Sequence, residues 1–173
     1  ELLFALSGRT LRAEPMKGTA PAGARAWLEA SEKDQAELAM ITDLVRDDLN
    51  RLCEPRSVQV PSPRRFLELP YAVQAVSVVV GTLPERRPAT GSRVREALSQ
   101  LHPGGSVTGA PRTAARAVIA ELERSPRGAY CGTLAFSRGD ATQAALLIRT
   151  AERTGAGEWR FGVGSGITWD SDP

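Results

Sequence analysis

The sequence predicts an α+β domain, in which strands form sheets and helices pack outside them. One observation is an apolar stripe between residues 24 and 53, where Leu38, Ile41 and Val45 recur at three- and four-residue steps. That spacing places the apolar side chains on one face of a helix. The second observation is the segment at 72–83, whose many β-branched residues indicate a buried strand.

Shorter patterns predict the remaining elements. Strands at 2–6 and 10–13 flank a turn, a Pro- and Gly-rich loop covers 14–23, and a short strand lies at 57–60. A helix is expected at 91–101, and Pro111 opens another that runs to about residue 123 after a glycine-rich turn at 106–111. Three strands at 130–137, 141–150 and 159–164 are expected to form an antiparallel meander.

Length and composition are those of an ordinary globular domain. The chain has 173 residues, of which 42% are hydrophobic and 24% charged, enough for one core of good size. A net charge of +2 gives no reason to expect nucleic acid or an anionic membrane as a partner, and no apolar run is long enough to span a bilayer. Cys53 and Cys131 lack metal-ligand spacing, which indicates reduced, packed thiols in a cytoplasmic protein.

Lys17 is the most informative single residue. It stands before Gly18 in a run bounded by Pro15 and Pro21, and these residues predict a stiff turn. A lysine held in such a turn can be partly desolvated, which favours the neutral, nucleophilic amine. The alternative is an ordinary surface lysine in a loop.

Further segments support the interpretation of Lys17 as a nucleophile. They are Met-Lys-Gly-Thr at 16–19, the run from Glu37 to Leu49, Pro-Gly-Gly-Ser-Val-Thr-Gly-Ala-Pro at 103–111, Ile-Arg-Thr at 148–150 and Gly-Val-Gly-Ser-Gly-Ile at 162–167. In this order the chain resembles the chorismate-utilising enzymes, which include the anthranilate, aminodeoxychorismate, isochorismate and salicylate synthases. The resemblance implies a two-sheet β-sandwich with surrounding helices and an active site between the sheets. It also implies that residues 1–173 are one chorismate-binding catalytic domain truncated at both ends.

Lys17 narrows the resemblance to the aminodeoxychorismate synthases, which carry a nucleophilic lysine where anthranilate synthases carry an alanine. The implied reaction converts chorismate and ammonia to 4-amino-4-deoxychorismate, on the route to p-aminobenzoate and folate. A separate glutamine amidotransferase subunit is expected to supply the ammonia. Glu1, sixteen positions before Lys17, matches the family's general acid on the C4 hydroxyl. Because Glu1 is the terminal residue of this chain, we expect it to be exposed and a poor acid here.

Asp34 and Glu37 are a candidate metal pair. Three residues apart on the predicted helix, they place two carboxylates on one face, and a hard divalent cation relieves the repulsion between them. The alternative is a solvated acidic face. The resemblance implies Mg²⁺ bound to the ring carboxylate of chorismate, with further glutamate ligands after residue 173, so the site is expected to be incomplete here.

Two glycine runs and one arginine are candidate substrate contacts. Residues 104–109 predict backbone N–H groups that cradle a carboxylate, with a plain loop as the alternative. Arg149 is expected on a strand, where an arginine either snorkels, pairs with an acid or, as the resemblance implies, grips the pyruvyl carboxylate. The implied contacts are Thr19, Gly105, Ser106, Thr108, Gly109, Arg149, Gly164, Ser165 and Gly166.

Departures from the family pattern keep two other functions open. Gln74 replaces a common His, Phe136 a common Tyr, Arg112 a Lys and Gln143 an Asp. Together they put the rate, and the choice of substrate, in doubt. The alternatives are an anthranilate synthase-type enzyme of the same family and a remnant that binds chorismate without catalysis.

Overall fold

The computed structural model describes residues 1–85, 90–155, 157–167 and 171. Within them, helices pack against antiparallel sheets, so the predicted α+β class is confirmed. The strands are β1 Leu2–Ser7, β2 Thr10–Glu14, β3 Met16–Pro21, β4 Gln59–Leu69, β5 Ala72–Thr82, β6 Thr133–Arg138, β7 Ala141–Leu146, β8 Ala151–Arg153 and β9 Trp159–Phe161. The helices are α1 Arg25–Ala30, α2 Glu32–Asn50, α3 Thr90–Leu101, α4 Gly105–Thr108 and α5 Arg112–Leu122.

Seven strands among the described residues form one sheet, and β8 and β9 form a second of two strands. The larger sheet is built around β5, the buried strand that the sequence predicted. One edge of β5 pairs with β4, and the other pairs with β3 over its first half and with β2 over its second half. The sheet then continues through β1 and β7 to β6, and every pairing is antiparallel.

The prediction of a loop at 14–23 is wrong, because strand β3 occupies most of these residues. Pro15 separates β2 from β3 without ending the ladder, since its carbonyl accepts a 3.0 Å hydrogen bond from the Ser77 backbone N–H of β5. The buried edge of β5 thus provides pairing that the local Pro and Gly content does not reveal. Strand preference depends on such non-local pairing more than on composition.

The strand expected at 57–60 is longer in the structure and runs from Gln59 to Leu69. Pro61 and Pro63 lie inside this strand. As an edge strand, β4 pairs only with β5, so its prolines need no partner on the open side. Two register shifts, between Gln59 and Ser62 and between Ser62 and Arg65, accommodate them.

The long helix expected over 24–53 is divided at Ser31 into α1 and α2. Ser31 has an extended backbone, and its hydroxyl oxygen accepts a 3.3 Å hydrogen bond from the Asp34 backbone N–H. Serine favours this capping role over a position inside a helix. Beyond the cap, Leu38 and Leu49 of α2 are buried against the sheet, as their spacing predicted.

The core lies between the sheet and helices α2 and α3. Its side chains from the sheet include Phe4, Leu6, Leu11 and Val79, each 0–1% exposed, while Leu49 comes from α2. Burying a side chain of this size contributes about 1.5–3 kcal/mol. Both cysteines are buried and neither forms a disulfide, which confirms the prediction of packed thiols. No helix in the described part of the chain is long and apolar enough to cross a membrane.

The predicted three-stranded meander is correct only for the hairpin of β6 and β7. After Leu146 the chain leaves the sheet, and Arg149 adopts a left-handed backbone with φ 53°. The third strand, β9, pairs instead with β8 in the small sheet. Residues 168–170 and 172–173, which include most of the Asp-Ser-Asp-Pro motif, lie outside the described residues.

Candidate active site

Lys17 lies at a β-bulge. The register of β3 on β5 shifts between Met16 and Thr19, and Gly18 has φ 90°, in the region that only glycine adopts freely. A bulge re-aims the side chain beside it, and bulges are common next to active sites. The Lys17 side chain is half-buried, unlike the exposed Thr19 that follows on the same strand.

Gly18 is closely packed between the two helices that follow β3. A Cβ atom at this position would lie 2.9 Å from Leu28 Cδ1 and 3.0 Å from Asp34 Cβ. The contact brings Asp34, one of the two expected metal ligands, against the residue next to Lys17. Glycine is therefore required here both for its backbone conformation and for the close approach of α1 and α2.

Glu1 is not the exposed terminal residue that the sequence suggested. Its backbone carbonyl accepts a 2.9 Å hydrogen bond from the Leu146 N–H, which fixes the residue at the end of β7. Its carboxylate accepts a 2.8 Å hydrogen bond from the Ser106 hydroxyl. Burial raises the pKa of Glu1, and this effect exceeds the lowering by the Ser106 hydrogen bond and by the Lys17 charge.

Glu1, Lys17, Ser106 and Gly166 therefore meet at one place. Ser106 binds the Glu1 carboxylate directly, and the Lys17 charge acts on the same carboxylate. A Cβ atom on Gly166 would lie 3.5 Å from Lys17 Nζ. The arrangement combines an amine, a carboxyl group with a raised pKa and a glycine backbone, which are the parts of a nucleophile, an acid and an anion cradle.

The glycine run at 104–109 forms a turn of helix, α4, where the sequence predicted a plain turn. Several of its polar groups bind within the run: the Gly109 N–H donates to the Gly105 carbonyl at 2.9 Å and the Thr108 hydroxyl to the Gly104 carbonyl at 2.9 Å. Gly105 is buried against α2, where a Cβ atom would lie 2.1 Å from Leu44 Cδ2. The Ser106 side chain is thus the member of the run that the structure joins to Glu1.

Asp34 and Glu37 both lie on α2, at the spacing used in the prediction. Asp34 accepts a 2.6 Å hydrogen bond from the Ser31 hydroxyl at the helix start, and Glu37 has a long 3.9 Å contact with Lys33. Glu37 is therefore the carboxylate more available to a cation. The described residues contain no group of three or more His, Cys, Asp or Glu side chains that could hold a metal ion.

Arg149 is not on a strand, contrary to the prediction. It follows β7 in a local turn, where the Ile148 N–H donates to the Leu146 carbonyl at 3.0 Å and the Thr150 hydroxyl to the Ile148 carbonyl at 3.1 Å. Its side chain is exposed and has no ion pair or hydrogen bond with any residue that the structure describes. Gly164 and Ser165 are also exposed, on the segment that leads to Gly166.

Sequence reasoning missed the packing of Tyr130. The Tyr130 ring lies against the segment 162–164, since a Cβ atom on Gly162 would be 2.2 Å from its Cγ and one on Gly164 would be 2.6 Å from its hydroxyl. The glycines at 162 and 164 were a signal that something packs closely there, but the sequence does not say what.

The four residues that depart from the family pattern differ in their burial and in the residues they contact. Gln74 is 5% exposed on β5, directly opposite Thr19 of β3. Phe136, 71% exposed on β6, lies opposite Gln143 of β7. Arg112 is an ion-pair partner of Asp48 and donates a 2.6 Å hydrogen bond to the Gln100 carbonyl, so it joins the start of α5 to α2 and α3.

Comparison with known proteins gives one family. The model of the chorismate binding enzyme family matches residues 1–173. Anthranilate synthase component 1 of Streptomyces coelicolor is 37% identical over 182 residues, covering 100% of this chain and 34% of that protein. Aminodeoxychorismate synthase of Streptomyces pristinaespiralis is 40% identical over 169 residues, covering 92% of this chain and 23% of that protein. The chain thus spans about a third or less of the length of these two relatives.

Solved structures agree with this result. Anthranilate synthase component I from Streptococcus pneumoniae superposes with a TM-score of 0.74 at 30% identity, covering 87% of this chain and 34% of that chain. The menaquinone-specific isochorismate synthase MenF from Escherichia coli gives a TM-score of 0.73 at 23% identity, covering 87% of this chain and 35% of that chain, and this shows a shared fold.

Proposed function

The chain belongs to the family of chorismate binding enzymes, and we propose that the full-length protein aminates chorismate to 4-amino-4-deoxychorismate. In this proposal ammonia comes from a glutamine amidotransferase partner, and the reaction takes place in the cytoplasm. The observation that carries the proposal is the position of Lys17, a half-buried residue whose charge acts on the Glu1 carboxyl group and whose Nζ would lie 3.5 Å from a Cβ atom on Gly166. Family membership alone does not select this reaction, since anthranilate and aminodeoxychorismate synthases both match the chain.

The proposed chemistry uses Lys17 and Glu1 as a pair. The Lys17 amine attacks C2 of the chorismate ring, the ring double bonds shift, and the C4 hydroxyl leaves as water with a proton from Glu1. Ammonia then attacks C4, the double bonds shift back, and the bond between C2 and Lys17 breaks. A carboxyl group must remain protonated to act as this acid, and burial of Glu1 favours that form.

In this proposal the glycine runs at 104–109 and 164–166, together with Arg149, bind the substrate. Of the run with Gly105, Ser106, Thr108 and Gly109, Ser106 would face the substrate, since the Gly109 N–H and the Thr108 hydroxyl are bonded within the run. Thr19, Gly164, Ser165 and Gly166 would form the other side of the cradle. Arg149 has an exposed guanidinium without a partner among the described residues. It is therefore available for a two-point hydrogen bond with the pyruvyl carboxylate.

Mg²⁺ is proposed as the cofactor. Glu37 would be a ligand, because its only described ion pair, with Lys33, is 3.9 Å long, while Asp34 would support it from one turn earlier on α2. Two carboxylates are fewer oxygen ligands than a magnesium site uses, so further oxygen ligands would complete the set. The cation would neutralise the ring carboxylate of chorismate.

An anthranilate synthase-type reaction is the second candidate. It is favoured by relatives of that name that match 100% of the chain at 35–37% identity. It is opposed by Lys17, since the resemblance implies an alanine at that position of the motif in anthranilate synthases. A remnant that only binds chorismate is the third, and Phe136 in place of a tyrosine is the departure that favours it.

Product identity tests the proposal. The full-length protein is incubated with chorismate, Mg²⁺ and an ammonium salt, and the products are separated by liquid chromatography and weighed by mass spectrometry. We expect 4-amino-4-deoxychorismate, and anthranilate as the product would refute the proposal in favour of the second candidate. Binding of chorismate without any product would support the third.

The nucleophile is tested separately by Lys17→Ala, which should reduce turnover to less than a few per cent of wild type, because the covalent route needs the amine. Lys33, the other lysine of the chain, has a side chain that is 78% exposed, so Lys33→Ala is the matched control and should leave turnover within about twofold. If Lys17→Ala retains most of the activity, the reaction does not use a lysine nucleophile.

A further inference from the structure

A second β-bulge lies opposite the one that carries Lys17. The register of β4 on β5 shifts between Ser62 and Arg65, so Arg64 stands in a bulge. The bulge of β3 at Lys17 lies on the other edge of β5, and both register shifts adjoin Val76 of that strand. A bulge re-aims the side chain beside it. Here the Arg64 side chain reaches the helices α1 and α2.

The Arg64 guanidinium is bonded to the end of α1 and to the start of α2. Its Nη2 donates a 2.6 Å hydrogen bond to the carbonyl of Leu28, and its Nη1 donates to the carbonyl of Glu29 at 3.0 Å and to the side-chain oxygen of Gln35 at 3.3 Å. Carbonyls in the last turn of a helix lack partners within the helix, and a cation there complements their partial negative charge. Arg64 therefore joins the two helices across residues 28–35, which we call the α1–α2 junction.

An aromatic ring fixes the direction of this guanidinium. The guanidinium carbon of Arg64 lies 5.1 Å from the centre of the Phe66 ring, within the range of a cation–π contact. Phe66 in turn packs against the buried cluster that contains Leu28. A planar guanidinium that stacks on a ring and donates three hydrogen bonds has a fixed plane and direction.

The α1–α2 junction carries two residues that pack on Gly18. A Cβ atom on Gly18 would lie 2.9 Å from Leu28 Cδ1 and 3.0 Å from Asp34 Cβ. Leu28 is also the residue whose carbonyl accepts the shortest Arg64 hydrogen bond, and Asp34 lies in the first turn of α2. Because Gly18 follows Lys17 in the bulge of β3, a shift of the junction would shift the backbone that directs the amine.

We propose that Arg64 is a positioning residue, which sets the direction of the Lys17 amine by holding the α1–α2 junction against Gly18. This inference rests on the proposed function, because the direction of the amine affects turnover only if the amine attacks the substrate. Arg64 touches no reacting atom in our account, so its loss should lower kcat and leave chorismate binding unchanged. Misplacing a reacting group by about 1 Å can reduce rate by roughly a hundredfold.

Three variants of the full-length protein test the role of Arg64. Arg64→Met keeps a long apolar side chain and removes every donor, whereas Arg64→Lys keeps a charge near the end of α1 without the planar fork. Arg25→Met is the matched control. Arg25 stacks on the same Phe66 ring at 5.0 Å, but its partners among the described residues are the side chains of Glu68 and Glu29.

The placement of the amine is measured by chemical labelling, without any need for turnover. Each protein is treated briefly with acetic anhydride, and peptide mass spectrometry gives the ratio of acetylation at Lys17 to that at Lys33. The Lys33 side chain is 78% exposed and serves as the internal reference, whereas Lys17 is half-buried. We expect the ratio to rise by at least roughly threefold in Arg64→Met, because an amine released from packed surroundings is more accessible to the reagent.

Turnover and chorismate affinity are measured on the same samples. We expect Arg64→Met to lower kcat by roughly ten- to a hundredfold and Arg64→Lys to lower it less, while chorismate affinity by calorimetry stays within about threefold of wild type. Arg25→Met should keep kcat and the labelling ratio within about threefold of wild type, since exposed ion pairs contribute little. In a Gly18→Ala background, where the bulge is already displaced, Arg64→Met should lower kcat by less than it does in the wild type.

The possible failures are distinguishable. A lower melting temperature in Arg64→Met with an unchanged labelling ratio would show a merely structural role and overturn the inference. A normal kcat in that variant, where Lys17→Ala is inactive, would overturn it as well. If Arg64→Met does not fold, Arg64→Lys decides, and a labelling ratio equal to that of Arg25→Met overturns the inference. A ratio that rises while Lys17→Ala stays active supports the placement by Arg64 and refutes the proposed function.

Discussion

Gly18→Ala tests whether the bulge beside Lys17 is held by its packing. At φ 90°, a residue with a side chain costs roughly 1–2 kcal/mol more than glycine. The added methyl would lie 2.9 Å from Leu28 Cδ1 and 3.0 Å from Asp34 Cβ, closer than carbon atoms normally approach. Such overpacking typically adds about 1–3 kcal/mol.

Alanine also restricts the unfolded chain, which offsets about 0.4–1 kcal/mol of these costs. We therefore expect Gly18→Ala to lower the free energy of unfolding by about 2–4 kcal/mol. Gly139, in the turn between β6 and β7, is the matched control, because it has φ 62° and nothing lies within 4 Å of its added Cβ. Gly139→Ala carries the backbone cost alone, so about 1 kcal/mol is expected.

Both variants are made in the full-length protein and compared by denaturant unfolding and by turnover at a temperature where both are folded. Because the bulge directs Lys17, Gly18→Ala should also reduce kcat by at least roughly tenfold, whereas Gly139→Ala should not. Equal losses of stability in the two variants would refute the packing of Gly18 against Leu28 and Asp34. A normal kcat in folded Gly18→Ala would refute the link between the bulge and Lys17.

Three other variants test the site. Glu1→Gln should lower kcat by roughly 10²- to 10⁴-fold and abolish the fall in wild-type rate as pH rises through the raised pKa of Glu1, measured by pH–rate profiles; an unchanged profile removes Glu1 as the acid. Glu37→Gln should raise the Mg²⁺ concentration for half-maximal rate by roughly tenfold, with Glu32→Gln, exposed at the start of α2, as the control. Arg149→Leu should weaken chorismate binding by roughly 30- to 200-fold at nearly constant melting temperature, because a charge-assisted pair contributes on the order of 2–3 kcal/mol. A destabilised Arg149→Leu with normal affinity would exclude that contact.

Residue patterns predicted the parts of the fold whose signal is local. The apolar stripe of α2 and the β-branched run of β5 are present as expected, since each reports directly which face is buried. The strand β3 was missed because its pairing with β5 is formed between segments about 55 residues apart along the chain, and its prolines and glycine suggested a loop. Arg149 was placed on a strand because the apolar residues before it continue the pattern of β7.

The candidate site was predictable in its residue types and not in its contacts. Lys17 and Glu1 were identified from spacing and resemblance, but the burial of Glu1 depends on Ser106, which is 105 residues away. A terminal position suggested exposure, whereas the Leu146 N–H and the Ser106 hydroxyl fix the residue in place. The packing of the Tyr130 ring against the segment 162–164 is likewise a tertiary contact without a sequence signature.

The four departures from the family pattern do not bear equally on the chemistry. Arg112 joins α5 to Asp48 of α2, a connection that an arginine makes at least as well as the lysine it replaces. Phe136 and Gln143 lie opposite each other on the outer hairpin, where the side chain of Phe136 is 71% exposed and lacks the hydroxyl of a tyrosine. Gln74 differs from these, because it is buried on β5 opposite Thr19, at the end of the bulge that carries Lys17. A buried amide there keeps hydrogen-bonding capacity but cannot become charged as a histidine can, so position 74 adds no charge to the site.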